Sequence, residues 1–516
     1  MSTRSSRITA LLAGTAALSL ALTGCLNLGF NLGGGDSTTK PTGEEVEPGL
    51  EHYYTQVLTW TSCGGGAECT TAIAPMNWDD PAAGDIELAL TRHPARGAKL
   101  GSLFVNPGGP GASGFDFVHD DPDWAVGPSL RQRFDIVGWD PRGVGRSTPV
   151  TCVSDAELDD FIYGIPDAPV DSQEWIDEVT ESSIAFGQAC LQNTGPSLEF
   201  IDTVSTVRDL DMMRAVLGDE KLHYLGYSYG SDIGAYYIDL FPQKVGRIVV
   251  DGATDPSISV FEVGLTQTAG FQLALENYLD ACHELFGADC PFLGEKTADL
   301  ATIRALYDRY DANPIPHHDG RMMDAGVIDI AMSMALYSPD SWFLLNDLFE
   351  EAELGLTDTA FYLADYYYSR GDDGRYLDNS LEAFIAIYCV DYPVETDPAV
   401  LEQQQEQLRE ASPTTFRDLP AIGDVTCANW PYQYRGSGIG TVSGDDAPPV
   451  LVISTTGDPA TPYEWGVALA QQLSNARLIT YNGEGHTAYN KSNDCIQDAV
   501  DDYFIDGTVP AADPDC

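Results

Sequence analysis

From about residue 56 the apolar positions repeat with the period of a strand. In Asp85–Arg92, Ile86, Leu88 and Leu90 alternate with Glu87, Ala89 and Thr91, the pattern of a strand with one face in a core. Val57–Trp60 and Cys69–Met76 read likewise, as outer strands of a sheet. Lys99–Asn106 (KLGSLFVN), Phe134–Trp139 (FDIVGW), the run around Leu222, Tyr224 and Leu225, Val245–Val250, Pro449–Thr455 and Arg477–Tyr481 are short and more continuously apolar, as suits strands buried on both faces. Elsewhere the period lengthens. Val207, Leu210, Met213 and Val216 place an amphipathic helix over Thr203–Gly218, and Asp232–Phe241 carries helical spacing. Strand patterns fade from Ser257 to about Gly440, where Thr268–Phe286, Val327–Leu336 and Asp340–Glu353 read as helices. The order predicts an α/β fold whose sheet is interrupted by a large helical insertion.

A chain of 516 residues exceeds one ordinary core. Its first 24 residues read as a signal segment, with Arg4 and Arg7 before apolar Ile8–Ala21; Leu22-Thr23-Gly24-Cys25 then resembles a bacterial lipobox, with Cys25 the lipidated residue. Residues 25–48, rich in Gly, Thr, Pro and Glu, read as a flexible tether. The remaining divisions are a core segment over 49–256, a helical cap over 257–440 and a second core segment over 441–516. Within the first, Thr151–Glu199 reads as an excursion closed by Cys152 and Cys190. The net charge of −53 excludes nucleic acid as a partner. It fits a solvated acidic surface, while attraction of cationic substrates stays open. Ten cysteines remain after Cys25; the simplest pairing joins neighbours in order, 63–69, 152–190, 282–290, 389–427 and 495–516. No C-x-x-C occurs, and His317-His318 lacks a carboxylate cluster at ligand spacing, so neither a metal nor a cofactor is expected.

The chemistry centres on Gly226-Tyr227-Ser228-Tyr229-Gly230, a G-x-S-x-G run between a strand and a helix. A turn that sharp presents its serine hydroxyl at the top of a sheet and needs the flanking glycines to avoid clashes. A hydroxyl nucleophile requires a base, an orienting acid and an oxyanion site. The glycine-rich loop Pro107–Gly114 can turn backbone amides toward the serine, which nominates the N–H groups of Gly109 and Tyr229. Asp458 follows a strand in a loop where Thr461, Pro462 and Glu464 read as N-cap, N1 and N3 of the next helix. His486 sits in a glycine-flexed loop after the last strand. Asp140 and Arg142 read as a charge pair bracing a strand-end loop, outside the site. The run Tyr362–Tyr368 reads as core and interface packing, with pocket lining as the alternative.

NPGGPG at Asn106–Gly111, DPRGVGRS at Asp140–Ser147, GYSYGS at Gly226–Ser231, VDGATDP at Val250–Pro256, GDPATP at Gly457–Pro462 and GEGH at Gly483–His486 together resemble the secreted actinobacterial tripeptidyl aminopeptidases. The mycobacterial cell-envelope serine proteases and, more distantly, the prolyl aminopeptidases are relatives of that family. The resemblance implies an α/β-hydrolase fold with a helical cap between the nucleophile half and a TAP-like half carrying Asp458 and His486, in the chain order serine, acid, histidine. It further implies a serine peptidase acting on peptides with a free N-terminus. A carboxylesterase with the same triad is the alternative, and a non-catalytic solute-binding lipoprotein the reading from another class. An aminopeptidase needs carboxylates in the cap to hold the substrate ammonium; Glu276, Glu284, Asp391 and Glu395 are among those present, and the sequence does not choose. The expected protein is a monomer, exported and lipid-anchored to the outer face of the cell membrane.

Overall fold

The computed structural model describes residues 37–170, 172–292, 294–436 and 440–516. The signal segment, Cys25 and the start of the predicted tether lie outside the described residues. Ten strands form the main sheet: β1 (Ser37–Thr38), β2 (Thr59–Gly64), β3 (Ala67–Pro75), β4 (Asp85–His93), β5 (Gly101–Asn106), β6 (Phe134–Trp139), β7 (Leu222–Tyr227), β8 (Val245–Asp251), β9 (Val450–Gly457) and β10 (Ala476–Glu484), in the order β1-β2-β3-β4-β6-β5-β7-β8-β9-β10. The first four and their junction with β6 are antiparallel, and every later pairing is parallel. Helices cover both faces of the parallel part, so β5 and β6 are buried at every position. Phe104, Tyr224, Val250 and Val452 face the Thr203–Leu217 and Gly230–Leu240 helices. Leu103, Val105, Leu225, Val249, Leu451 and Ile453 face the Asp494–Asp506 helix.

Among the described residues the insertion is helical, as its periodicity predicts, but its first boundary and its relation to the Thr151–Glu199 excursion differ from the sequence signals. The first cap helix begins at Val260 rather than Thr268, because Ser259 and Glu262 form a reciprocal capping box. Around it the helices Lys296–Ala312, Ala325–Leu336, Trp342–Leu354 and Asp358–Tyr367 share one apolar core. The excursion joins the cap rather than standing apart: Leu158, Phe186 and Cys190 pack with Ala383, Ile387 and Trp430. Glu382 accepts the N–H groups of Cys152 and Val153, and Arg370 pairs with Asp159. The five disulfides pair neighbouring cysteines in order.

The tether reading fails from residue 37 onward. β1 pairs with β2, the Thr42 N–H donates to the Ala215 carbonyl, and Glu44 pairs with Arg214 and Lys244. Arg214 is fully buried and must be neutralised there; Asp211 and Glu44 together do this. Arg142 likewise pairs with Asp209 rather than Asp140, while Asp140 accepts from Ser113 Oγ, Phe115 N and Arg146 N. Among the described residues no helix is long and apolar enough to cross a membrane.

Candidate active site

The carboxyl ends of five parallel strands converge on one region, where open α/β sheets place their ligands. β7 ends at Tyr227, and Ser228 takes φ of +55° before the helix Gly230–Leu240 begins. The flanking glycines are sterically required: a Cβ at Gly226 would lie 2.2 Å from the Gly230 carbonyl oxygen, and one at Gly230 would lie 2.9 Å from Asn106 Oδ1. After β5, Gly108 is pressed against the serine, since a Cβ there would meet Ser228 Cβ at 2.8 Å and Tyr229 N at 3.1 Å. Gly109, Ser228 and Tyr229 line a common cavity of ≈250 Å³. Among the described residues, neither the Gly109 nor the Tyr229 N–H donates to another backbone group.

Past β9, Asp458 is buried and densely hydrogen-bonded. Its Oδ1 accepts from Ala460 N and Thr461 N at 2.9 Å each, and its Oδ2 from Thr461 Oγ1 at 2.9 Å and Thr487 N at 3.2 Å. His486 Nδ1 lies 2.9 Å from both carboxylate oxygens. The anticipated capping box does not form: the helix is Tyr463–Gln472, its N-cap is Pro462 without a side-chain bond, and Thr461 serves Asp458 instead. Thr461 Oγ1 also lies 3.2 Å from His486 Nδ1. Among the described residues, every hydrogen bond of the imidazole ring is on its Nδ1 side and none is at Nε2. The end of β8 ties the two halves together. Asp251 accepts Ser228 N at its carbonyl and Ala488 N and Tyr489 N at its buried carboxylate, and a Cβ at Gly252 would meet His486 Cε1 at 3.1 Å. The cap adds a further support: the His486 N–H donates to the Tyr337 carbonyl at 2.8 Å, and the Tyr337 ring stands edge-on to the imidazole.

Two acids that the sequence did not single out for the site share the cavity with Ser228. Asp232, one helical turn beyond the serine, is 6% exposed, and Asp391, from the cap helix Ser380–Asp391, is 3% exposed. Asp232 accepts from Thr254 Oγ1 at 2.6 Å; Asp391 accepts from Thr203 N and from Thr203 Oγ1. Among the described residues neither has a cationic partner within 4.0 Å. Burial pushes the Asp232 carboxyl up to about 7 and the Asp391 carboxyl well above its ordinary range. A signal for Asp232 was present: it is a charge on the buried side of the Gly230–Leu240 helix, beside Ile233, Ala235 and Tyr236. Of the four cap acids named above, Asp391 reaches this cavity. Tyr367 lines it as well, whereas Tyr362 and Tyr366 are exposed and pack into neither core nor pocket. His317 Nδ1 is bonded to Thr357 Oγ1, and Asp319 pairs with Arg321.

A TAP-like protein model matches residues 412–516, and an alpha/beta hydrolase fold model matches residues 101–294. Serine protease Hip1 of Mycobacterium tuberculosis is 36% identical over 527 residues, covering 98% of this chain and 96% of that protein. This chain belongs to the α/β-hydrolase family. Within it, carboxylesterase B of the same species is 36% identical over 519 residues, covering 95% of this chain and 97% of that one. Tripeptidyl aminopeptidase of Streptomyces lividans is 29% identical over 476 residues, covering 89% and 86%. The two halves of the site thus fall in different family segments, Ser228 in the first and Asp458 and His486 in the second.

Proposed function

We propose that this α/β-hydrolase is a serine aminopeptidase that recognises the free N-terminus of its peptide substrate. The observation that carries this reading is the pair of buried, cation-free carboxylates, Asp232 and Asp391, in the cavity of Ser228. A buried acid without a counter-charge is costly, and a substrate ammonium supplies the missing charge. An ester substrate with no amine gains nothing from the two acids, which then stay protonated, whereas a substrate ammonium draws them into an ion pair. That separates this reading from the carboxylesterase one, while relatives bearing peptidase and esterase names share the same 36% identity with the chain.

In this mechanism His486 Nε2 accepts the Ser228 Oγ proton as the oxygen attacks the scissile carbonyl, and Asp458 holds the proton on Nδ1 and stabilises the imidazolium. The N–H groups of Gly109 and Tyr229 receive the oxyanion. His486 then protonates the departing amine, and water, deprotonated by the same imidazole, hydrolyses the acyl-enzyme. No step calls for a metal or cofactor. The lipobox-like Leu22–Cys25 run supports export and attachment to the outer membrane face through Cys25. The test is hydrolysis of short peptides with free or acetylated N-termini. The expected result is cleavage of the free peptides only, reduced by at least about 10³-fold in Ser228→Ala. Equal cleavage of both forms, or full activity in the variant, would overturn the proposal.

A further inference from the structure

The Ser380–Asp391 helix also borders a second, larger space. A cavity of ≈400 Å³ is lined by Leu401, Leu408, Phe416, Leu419 and Ile422 from the Pro398–Ala411 helix and the segment after it. Tyr388 and Tyr392 line both this cavity and the one holding Ser228, with ring centres 5.0 Å apart. On the facing helix, Val263 borders the catalytic cavity and its neighbour Gly264 the second one. A Cβ added at Gly264 meets no atom within 4 Å, so the helix surface there faces open space. Among the described residues no Lys, Arg or His lines the second cavity, and the two acids that do, Glu395 and Asp424, are exposed.

We propose that this compartment receives the side chain of the substrate's N-terminal residue and favours a large apolar one. The assignment rests on the aminopeptidase reading. An ammonium held at Asp391 carries its own side chain on the adjoining carbon, and the residues flanking Asp391 toward that side, Tyr388 and Tyr392, are the wall shared with the apolar compartment. Moving an apolar side chain from water into such a lining is favourable, whereas a charged one finds no buried partner there.

Filling the compartment tests this. Gly264→Phe puts a ring into the open space without a clash at Cβ, and phenylalanine has a higher helix propensity than the glycine it replaces. The substrates are hexapeptides with Gly, Leu or Phe first, followed by five alanines, each with a free or acetylated N-terminus. For the wild type we expect kcat/KM for the Leu and Phe peptides to exceed that for the Gly peptide by about tenfold or more. In Gly264→Phe that preference should vanish through slower cleavage of the Leu and Phe peptides, with the Gly peptide unchanged. A wild type indifferent to the first residue, or a variant slower on all three peptides alike, would overturn the assignment while leaving the aminopeptidase reading standing. Equal cleavage of the acetylated peptides would overturn that reading, and the assignment with it.

Discussion

Asp458 spends every lone pair within the site, on two backbone amides of its own loop, on Thr461, on Thr487 and on His486. Asp458→Asn keeps an acceptor for Ala460 N and Thr461 N with its amide oxygen at the Oδ1 position, but its NH2 then faces Thr461 Oγ1, Thr487 N and Nδ1 as a donor. The variant should therefore be somewhat less stable and present the wrong hydrogen-bonding partner to the imidazole. A fall in kcat of about 10⁴-fold is expected; a loss below tenfold would argue that Asp458 does not hold the imidazole. Asp232 behaves in the opposite sense. Its carboxyl is pushed up to about 7 by burial, whereas in the unfolded chain it ionises near 4. Between those values the unfolded chain binds fewer protons than the folded one, so this group lowers stability progressively as pH rises from about 4 to 7 and by a constant amount above. Asp232→Asn should raise the melting temperature, with the gain over wild type growing across that window and level beyond it. A gain independent of pH, or none, would contradict a strained carboxylate at this position. The placement of Ser228, Asp458 and His486 on strand-end loops was legible in the sequence, because each loop has a local glycine or turn signature; their catalytic roles are the proposal. Asp232 and Asp391 were not singled out, because their importance comes from burial against residues distant in the chain.

At the scale of elements, the cap and the sheet share the site. Ser228, Asp458 and His486 ride on strand ends, while Asp391, Tyr337 and Tyr388 come from cap helices. The Cys389–Cys427 disulfide closes a loop of 38 residues within the cap, and the chain-entropy model assigns such a closure about 3–4 kcal/mol. The double Cys389→Ser, Cys427→Ser variant should lose peptidase activity at a lower urea concentration than that at which the sheet loses its circular dichroism signal. Coincident transitions for the two probes would show that cap and sheet unfold as one unit. Buried strands and long helices were readable from periodicity. The Ser259–Glu262 capping box is a local signal present in the chain and passed over. Docking of residues 37–48 had no local signal, because Glu44 answers to Arg214, which lies 170 positions further on.

For the whole molecule, a chain carrying 79 acids and 26 Lys and Arg residues solvates most of its negative charge at the surface. Asp232 and Asp391 are exceptions placed where a substrate amine would arrive, buried beside the serine that would cut the chain. Composition alone left open whether the acidity served solvation or recognition; the burial of these two carboxylates in the cavity of Ser228 is what supports the proposal that they serve recognition. The most direct measurement of amine recognition is the ratio of kcat/KM for a free peptide to that for its acetylated counterpart, in the wild type and in the double variant Asp232→Asn, Asp391→Asn. A large ratio that collapses toward unity in the variant, through loss of the free-peptide rate, is the predicted result. An unchanged ratio in a folded double variant would contradict it.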